Sequence, residues 1–256
     1  MNAITDYEDS GPFTVQATSM GQIDFWVPAV PSGCKVPVVH LANGTGACAD
    51  YAPFLQRMAT QGFLATCFQD AHTGAGNDGI AAFQAALAMF PNLADKKLGS
   101  VGHGEGGQGA LVTLQLAEAM WGSAMVYAGF AMSPESGLGS QPDAGTWQQV
   151  YAEIKSPIFM LAGAGMSGNP NGDGIVSEAW VNQGYEATSP SEEAYLWTAN
   201  GATYSPPPDQ LGEDVAVPWF RWELLGDAKA CAFFKAMPAS DPTWTQVESK
   251  NEQPCP

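Results

Sequence analysis

The feature that most constrains the fold of this chain is the alternation of short apolar runs with segments of helical spacing. Residues 36–41 form a continuous apolar run, which is typical of a strand buried on both faces of a sheet. Residues 51–60 instead place Tyr51, Phe54, Leu55 and Met58 on one helical face. This alternation predicts an α/β fold: a mostly parallel twisted sheet with helices on both faces, in a three-layer sandwich.

The same patterns predict where the individual elements lie along residues 1–256, which we treat as a single domain. We expect residues 194–198 to form the last strand and residues 219–237 to form one closing helix. The other predicted strands are 12–15, 23–27, 36–41, 63–68, 98–101, 124–131 and 158–162, and the other predicted helices are 51–60, 80–89 and 109–120. In such sheets, ligands bind at the carboxyl ends of the strands.

The charge balance of the chain restricts its partners. Nine basic residues against 26 acidic ones give a net charge of -17, which argues against nucleic acid and anionic membranes as partners. No apolar run approaches the roughly 18 residues of a membrane span, so we expect none. A secreted or periplasmic location is favoured over a cytoplasmic one.

The five cysteines are widely spread, and none forms a C-x-x-C pair. This spacing argues against zinc and thioredoxin-type chemistry. Cys231 lies in the predicted closing helix and Cys255 one residue from the end, so a bridge between them would hold the tail. Buried free thiols are the alternative.

The loop after Val101 has the spacing of a catalytic turn. It reads Val101-Gly-His-Gly-Glu-Gly-Gly-Gln-Gly109 and joins a predicted strand to a predicted helix. The nucleophile elbow, G-x-S-x-G, places its serine at the centre of such a turn, but here the centre is Gly104, which has no side chain. A shift of one residue would make Glu105 the nucleophile, with His103 crowded against the helix. A phosphate-binding G-x-G-x-x-G loop is the weaker alternative.

This loop resembles the elbow of α/β-hydrolases of the polyester hydrolase, cutinase-like and dienelactone hydrolase-like group, usually written G-H-S-x-G-G. Further resemblance covers the opening strand at residues 11–15, the oxyanion loop at 40–46, the helix and turn at 51–63, and the closing helix at 219–227. The resemblance implies an α/β-hydrolase fold and a carboxylic-ester hydrolase. It also implies an oxyanion hole built from the Glu105 N–H and from Gly44, Thr45 and Gly46.

The resemblance leaves two of the three roles of a catalytic triad empty. Asp173 matches the surroundings of the family's acid, and a polar turn is its alternative reading. Tyr204 stands closest to the place of the catalytic histidine, while Gly104 replaces the serine. His40 and His103 occupy positions typical of structural histidines, and His72 is expected to line the pocket. A serine-type mechanism needs a nucleophile, a base and an acid that orients the base.

Two weaker patterns complete the candidate site. Residues 169–174 have the look of a calcium loop, but Asn169 and Trp180 stand where an EF-hand has acids, so a polar turn is the default and no metal or other cofactor is expected. Trp147 and Trp180, which we place in loops near the mouth, would form an aromatic binding wall.

Three functions follow from these residues. The first is an ester hydrolase scaffold with a degraded triad, impaired or inactive, that binds a small or polymeric ester or another hydrophobic ligand. The second is a hydrolase that uses Glu105, Tyr204 or His72. The third is a non-catalytic binding or structural module whose old pocket is filled.

Overall fold

A computed structural model describes residues 7, 9–69, 75–134, 144–163, 178–188, 193–199, 210–236 and 243–256. The described strands form one nine-stranded sheet with the order β1-β2-β4-β3-β5-β6-β7-β8-β9. The strands are β1 (Val15–Met20), β2 (Ile23–Pro28), β3 (Val36–Ala42), β4 (Leu64–Phe68), β5 (Ala94–His103), β6 (Val126–Met132), β7 (Ile158–Gly163), β8 (Ala194–Ala199) and β9 (Trp244–Lys250).

The centre of the sheet is parallel and its margins are antiparallel. The six strands β4, β3, β5, β6, β7 and β8 run parallel to one another. Strand β2 is antiparallel to both β1 and β4, and β9 is antiparallel to β8. All residues of β3, β7 and β8 are buried, as expected for parallel strands covered on both faces. The predicted fold class is therefore confirmed.

Helices cover both faces of this sheet. They are α1 (Ala52–Thr60), α2 (Asn77–Met89), α3 (Glu105–Trp121), α4 (Ala144–Glu153), α5 (Glu178–Ala187), α6 (Gln210–Leu225) and α7 (Ala228–Ala236). Alternate side chains of each strand divide between two apolar cores. In β3, Val39 and Leu41 pack with α1, α6 and α7, whereas Val36 and Val38 pack with α2 and α3.

The end of the chain differs from its predicted form. The expected closing helix at 219–237 is two helices, α6 and α7, separated at Gly226 and Asp227. Gly226 has a φ of 67°, which ends α6, and the Asp227 carboxylate accepts hydrogen bonds from the N–H groups of Lys229 and Ala230, which caps α7. Strand 194–198 is also not the last, because β9 follows α7.

Three further segments differ from the sequence-based expectation. The first strand starts at Val15 rather than at residue 12, because Gly11 and Phe13 donate hydrogen bonds to Thr60 instead of joining the sheet. Helices α4 and α5 were not predicted. Trp147 and Trp180 lie in these two helices and not in loops.

Two disulfides join described parts of the chain. Cys231–Cys255 ties the C-terminal tail to α7, so the bridge is present rather than the free-thiol alternative. Cys48–Cys67 joins a short 3-10 helix, Cys48–Tyr51, to the end of β4. Among the helices of the described ranges, none has both the length and the apolar character needed to cross a membrane.

Candidate functional site

A sharp turn lies between β5 and α3 at Gly104. Strand β5 ends at His103 and α3 begins at Glu105, so Gly104 alone reverses the chain. Its φ of 60° and ψ of -125° lie in a region that side-chain-bearing residues rarely adopt. The Gly104 N–H donates to the Met132 carbonyl at 3.0 Å, and the Gly104 carbonyl accepts from the Gly107 N–H at 2.9 Å. Strand β6 and helix α3 thus hold this turn from both sides.

The glycines on either side of Gly104 allow three backbones to meet. A Cβ on Gly102 would lie 1.9 Å from the carbonyl oxygen of Gly106. A Cβ on Gly106 would lie 1.9 Å from the carbonyl oxygen of Ala42, at the end of β3. Both distances are far below van der Waals contact, so side chains at these two positions would push α3 away from the sheet. The glycine spacing read in the sequence therefore has a direct steric cause.

The loop after β3 packs against the same turn. Gly44 has a φ of 60°, and a Cβ there would lie 2.8 Å from the backbone nitrogen of Gly106. The Asn43 side chain shapes this loop, because its Nδ2 donates to the Gly46 carbonyl at 2.7 Å while the Gly46 N–H donates to the Asn43 carbonyl at 3.0 Å. Thr45 is exposed at the tip of the loop. The structure therefore brings Gly44 and the Gly104 turn together at the carboxyl ends of β3 and β5.

Glu105 is a buried acid at the entrance to helix α3. It is the first residue of the helix, and only 7% of its surface is exposed. A Cβ on Gly44 would lie 3.5 Å from the Glu105 Cβ, so this side chain starts at the junction of the two loops. A carboxylate in the first turn of a helix is stabilised by the helix dipole. Its charge also makes the junction less attractive to a second anion.

The two described histidines are buried inside the scaffold. The His40 ring is fully buried, its Nδ1 lies 3.1 Å from the Thr66 Oγ1, and it packs edge-on against Phe83. Burial lowers the pKa of His40 to about 3 and that of His103 to about 4. Both rings are therefore neutral at physiological pH, and their burial fits structural positions better than the role of an accessible base.

The structure does not place every predicted site residue. Asp173, Tyr204 and His72 lie outside the described residues, as does the proposed calcium loop at 169–174. Trp147 is described only as a position in α4, whereas Trp180 in α5 packs against the apolar core of that face. Within the described ranges, no group of three or more acidic, histidine or cysteine side chains could hold a metal.

Sequence reasoning missed a strained residue beside the Gly104 turn. Ser133 directly follows β6 and has a φ of 40°, which is unusual for a residue with a side chain. Its N–H donates to the Leu161 carbonyl at 2.7 Å, and the preceding Met132 carbonyl receives the Gly104 N–H. In the sequence, the only indication of this unusual backbone was a serine that precedes a proline at the end of a predicted strand. Ser133 thus lies beside the junction of the two glycine-rich loops.

Comparison with known proteins does not extend this description. No protein-family model matches the chain, and a search of curated proteins finds no significant match. The chemistry of the junction between the two loops must therefore be inferred from its own geometry.

Proposed function

We propose that this protein is a carboxylic-ester hydrolase scaffold, like that of the polyester hydrolase and cutinase-like group, that has lost serine-type turnover and binds an ester or another hydrophobic ligand. The observation that carries this proposal is the backbone at Gly104. It combines a φ of 60° and a ψ of -125° with a position between a buried parallel strand and a helix. A strained strand-to-helix turn of this kind presents the nucleophile in the elbow of such enzymes, which supports the proposal.

The surroundings of the turn support the same proposal. The first N–H groups of a helix point beyond its N-terminus, and in α3 they lie beside the loop that contains Gly44. Such a pair of loops supplies the backbone donors of an oxyanion hole in acyl-transfer enzymes. The disulfide Cys48–Cys67 anchors the chain just after this loop to β4, which favours a preorganised crevice.

The missing side chains argue against ordinary turnover. Gly104 has no hydroxyl, and Tyr204 stands where the resemblance places the histidine. Loss of the nucleophile or of the base costs about as much activity as loss of the whole triad, roughly a factor of 10⁶ in a serine protease. Buried Glu105 adds negative charge close to where an oxyanion would develop, which opposes the same chemistry.

The direct test restores the missing groups one at a time. We expect the purified protein to hydrolyse p-nitrophenyl acyl esters no faster than buffer and to resist labelling by a fluorophosphonate. Gly104→Ser alone should remain unlabelled, because it has no base, whereas Gly104→Ser with Tyr204→His should gain both fluorophosphonate labelling and ester turnover. Gly122→Ser is a matched control, because Gly122 also has a positive φ, 51°, but lies in open space.

Two results would contradict the proposal. Hydrolysis by the unmodified protein that a fluorophosphonate blocks would show a working serine nucleophile elsewhere. A double variant that folds normally but gains neither labelling nor turnover would show that the crevice is not an acyl-transfer scaffold. Unmodified turnover that resists fluorophosphonate but is lost in Glu105→Gln would instead favour a hydrolase with Glu105 as nucleophile.

A further inference from the structure

We propose that two copies of this chain associate by antiparallel pairing of strand β1 with β1 of the second copy, about a two-fold axis at Ala17. Strand β1 is the margin of the sheet, and no other strand of the described residues pairs with its outer side. Pairing of this kind would join two nine-stranded sheets into one continuous sheet. It is independent of the chemistry proposed for the crevice.

The hydrogen-bonding pattern of the β1–β2 hairpin shows which backbone groups face outward. A two-residue loop, Gly21–Gln22, joins the strands, so the flanking pair Met20 and Ile23 exchanges hydrogen bonds. In an antiparallel pair, hydrogen-bonded residues alternate with those that are not. The Thr14 carbonyl accepts a hydrogen bond from the Ala29 N–H at 2.8 Å. This bond confirms that the backbone N–H and C=O groups of the even-numbered residues point toward β2. The outward N–H and C=O groups therefore belong to Val15, Ala17 and Ser19.

The side chains of β1 suit contact with a second copy. The strand reads VQATSM, and all its residues after Val15 are exposed. It contains no charged residue in a chain with a net charge of -17. Asp24, which lies opposite Ser19 on β2, is engaged by its own chain, because it accepts hydrogen bonds from Ser19 Oγ at 2.6 Å and Gln69 Nε2 at 2.8 Å. Two strongly acidic chains can approach most closely along such an uncharged strand.

The opposite margin of the sheet lacks these properties. Strand β9 carries Glu248 and Lys250, and the Lys250 ammonium is held by the Tyr185 carbonyl at 2.7 Å. Charged side chains on an edge strand are a usual protection against pairing between molecules. Strand β1 has no charge, proline or bulge along its six residues. Of the two margins, β1 therefore lacks the features that hinder pairing, and we place the contact between the two copies there.

The two-fold axis is placed by the outward groups. Pairing centred on Ala17 sets Ala17 opposite its own copy and Val15 opposite Ser19 of the second copy, so all three outward residues find partners. At the axis, where each side chain meets its equivalent, a methyl group is the least obstructive side chain. A register shifted by one or two residues along the strand would leave some of these groups unpaired.

The first measurement is the mass in solution. We expect sedimentation equilibrium of the intact protein to show a mass that rises from one chain to two across a concentration series. Added monovalent salt should favour the dimer, since it screens the repulsion between acidic chains. Ala17→Pro removes an outward N–H only and should return the mass to one chain. Met120→Lys, on an exposed position of α3, should leave the dimer intact or strengthen it.

The second measurement tests the register by cross-linking. In a Cys34→Ser background, which removes the free thiol, Ala17→Cys should form an intermolecular disulfide under mild oxidation. Facing residues of a hydrogen-bonded pair are about 5.5 Å apart between Cα atoms, within disulfide range. Thr18→Cys should not cross-link, because its copy would lie beyond about 7 Å. Either a single-chain mass throughout the series or equal cross-linking of the two variants overturns the proposal.

Discussion

Gly102 shows how a single residue allows β5 and α3 to approach closely. A methyl group there would overlap the Gly106 carbonyl at 1.9 Å, and the overlapped atom belongs to the backbone, so no side-chain movement can relieve it. We expect Gly102→Ala to lower the free energy of unfolding by about 3 kcal/mol, at the upper end of overpacking costs. Urea denaturation measures this loss.

The control for this substitution separates steric overlap from backbone strain. Gly122→Ala places a methyl group in open space at a φ of 51°. It should cost about 1–2 kcal/mol, the backbone strain of a side chain at this φ and a ψ of -143°, without any steric overlap. Equal losses for the two variants would mean that strand β5 and helix α3 do not approach as closely as the structure shows.

The buried histidines make the stability of the fold depend on pH. Burial lowers the pKa of His40 to about 3 and of His103 to about 4, so protons bind the unfolded chain more tightly than the folded one. The stability contributed by the neutral histidines is therefore fully present above the unfolded-state pKa of about 6.5. It falls as the pH drops toward the pKa values of the folded chain. From pH 7 to pH 5, each histidine should remove about 2 kcal/mol of unfolding free energy.

Urea denaturation at several pH values tests this expectation. In His40→Gln, the fall in unfolding free energy from pH 7 to pH 5 should be smaller by about 2 kcal/mol, the contribution of one histidine. This holds whatever the substitution does to the absolute stability. The informative quantity is thus the slope. An unchanged slope in this variant would show that His40 binds protons equally in the folded and unfolded chains.

At the scale of elements, Arg221 joins α6 to the start of α7. Its guanidinium forms an ion pair with Asp227 at 2.7 Å and donates to the Gln61 carbonyl at 3.0 Å. Burial tends to raise the pKa of Asp227, but the hydrogen bond and charge of Arg221 outweigh it and hold the pKa below its ordinary value. Removal of Arg221 would leave this carboxylate buried without its cation, and it would loosen the cap of α7.

We therefore expect Arg221→Met to lower the free energy of unfolding by about 3–5 kcal/mol, as for other buried pairs that lose one member. Glu186→Gln is the matched control, because Glu186 is largely exposed and lies 3.7 Å from its partner Lys250, and such pairs contribute about 0–1 kcal/mol. Denaturation midpoints of the two variants give the comparison. Similar effects would contradict the assignment of Arg221 as the connection between the two helices.

The elements differ in how readily the sequence predicts them. Continuous apolar runs predicted β3, β4 and β7 almost to the residue, because strands covered on both faces admit few polar side chains. Helix α5 was missed although Val181 and Tyr185 are buried four residues apart, a spacing that indicates a helix. The break between α6 and α7 had a signal in Gly226-Asp227, a helix stop followed by a helix cap.

At the scale of the whole molecule, the net charge of -17 opposes compaction. Monovalent salt shortens the Debye length from about 30 Å at 0.01 M to about 8 Å at 0.15 M. We expect the thermal midpoint to rise over this range by about 2–4 °C for each kcal/mol of relieved repulsion.

Thermal unfolding at low protein concentration measures this effect of salt. The Ala17→Pro variant provides the control for dimer formation. If dimer formation does not contribute to the salt effect, the thermal midpoint of this variant should rise as much as that of the unmodified protein. A midpoint that falls with salt would mean that attractive ion pairs, such as Arg57 with Asp214 at 2.7 Å, outweigh the net repulsion.

The sequence by itself determined the layering of this protein and the position of the turn at Gly104, because apolar periodicity and glycine spacing are local properties of the chain. Only the tertiary structure showed that Gly44 and Ser133 lie beside that turn, that Cys48 pairs with Cys67, and that β1 is a margin of the described sheet. These contacts join residues far apart in the chain. They depend on the order of the strands, which local patterns do not encode.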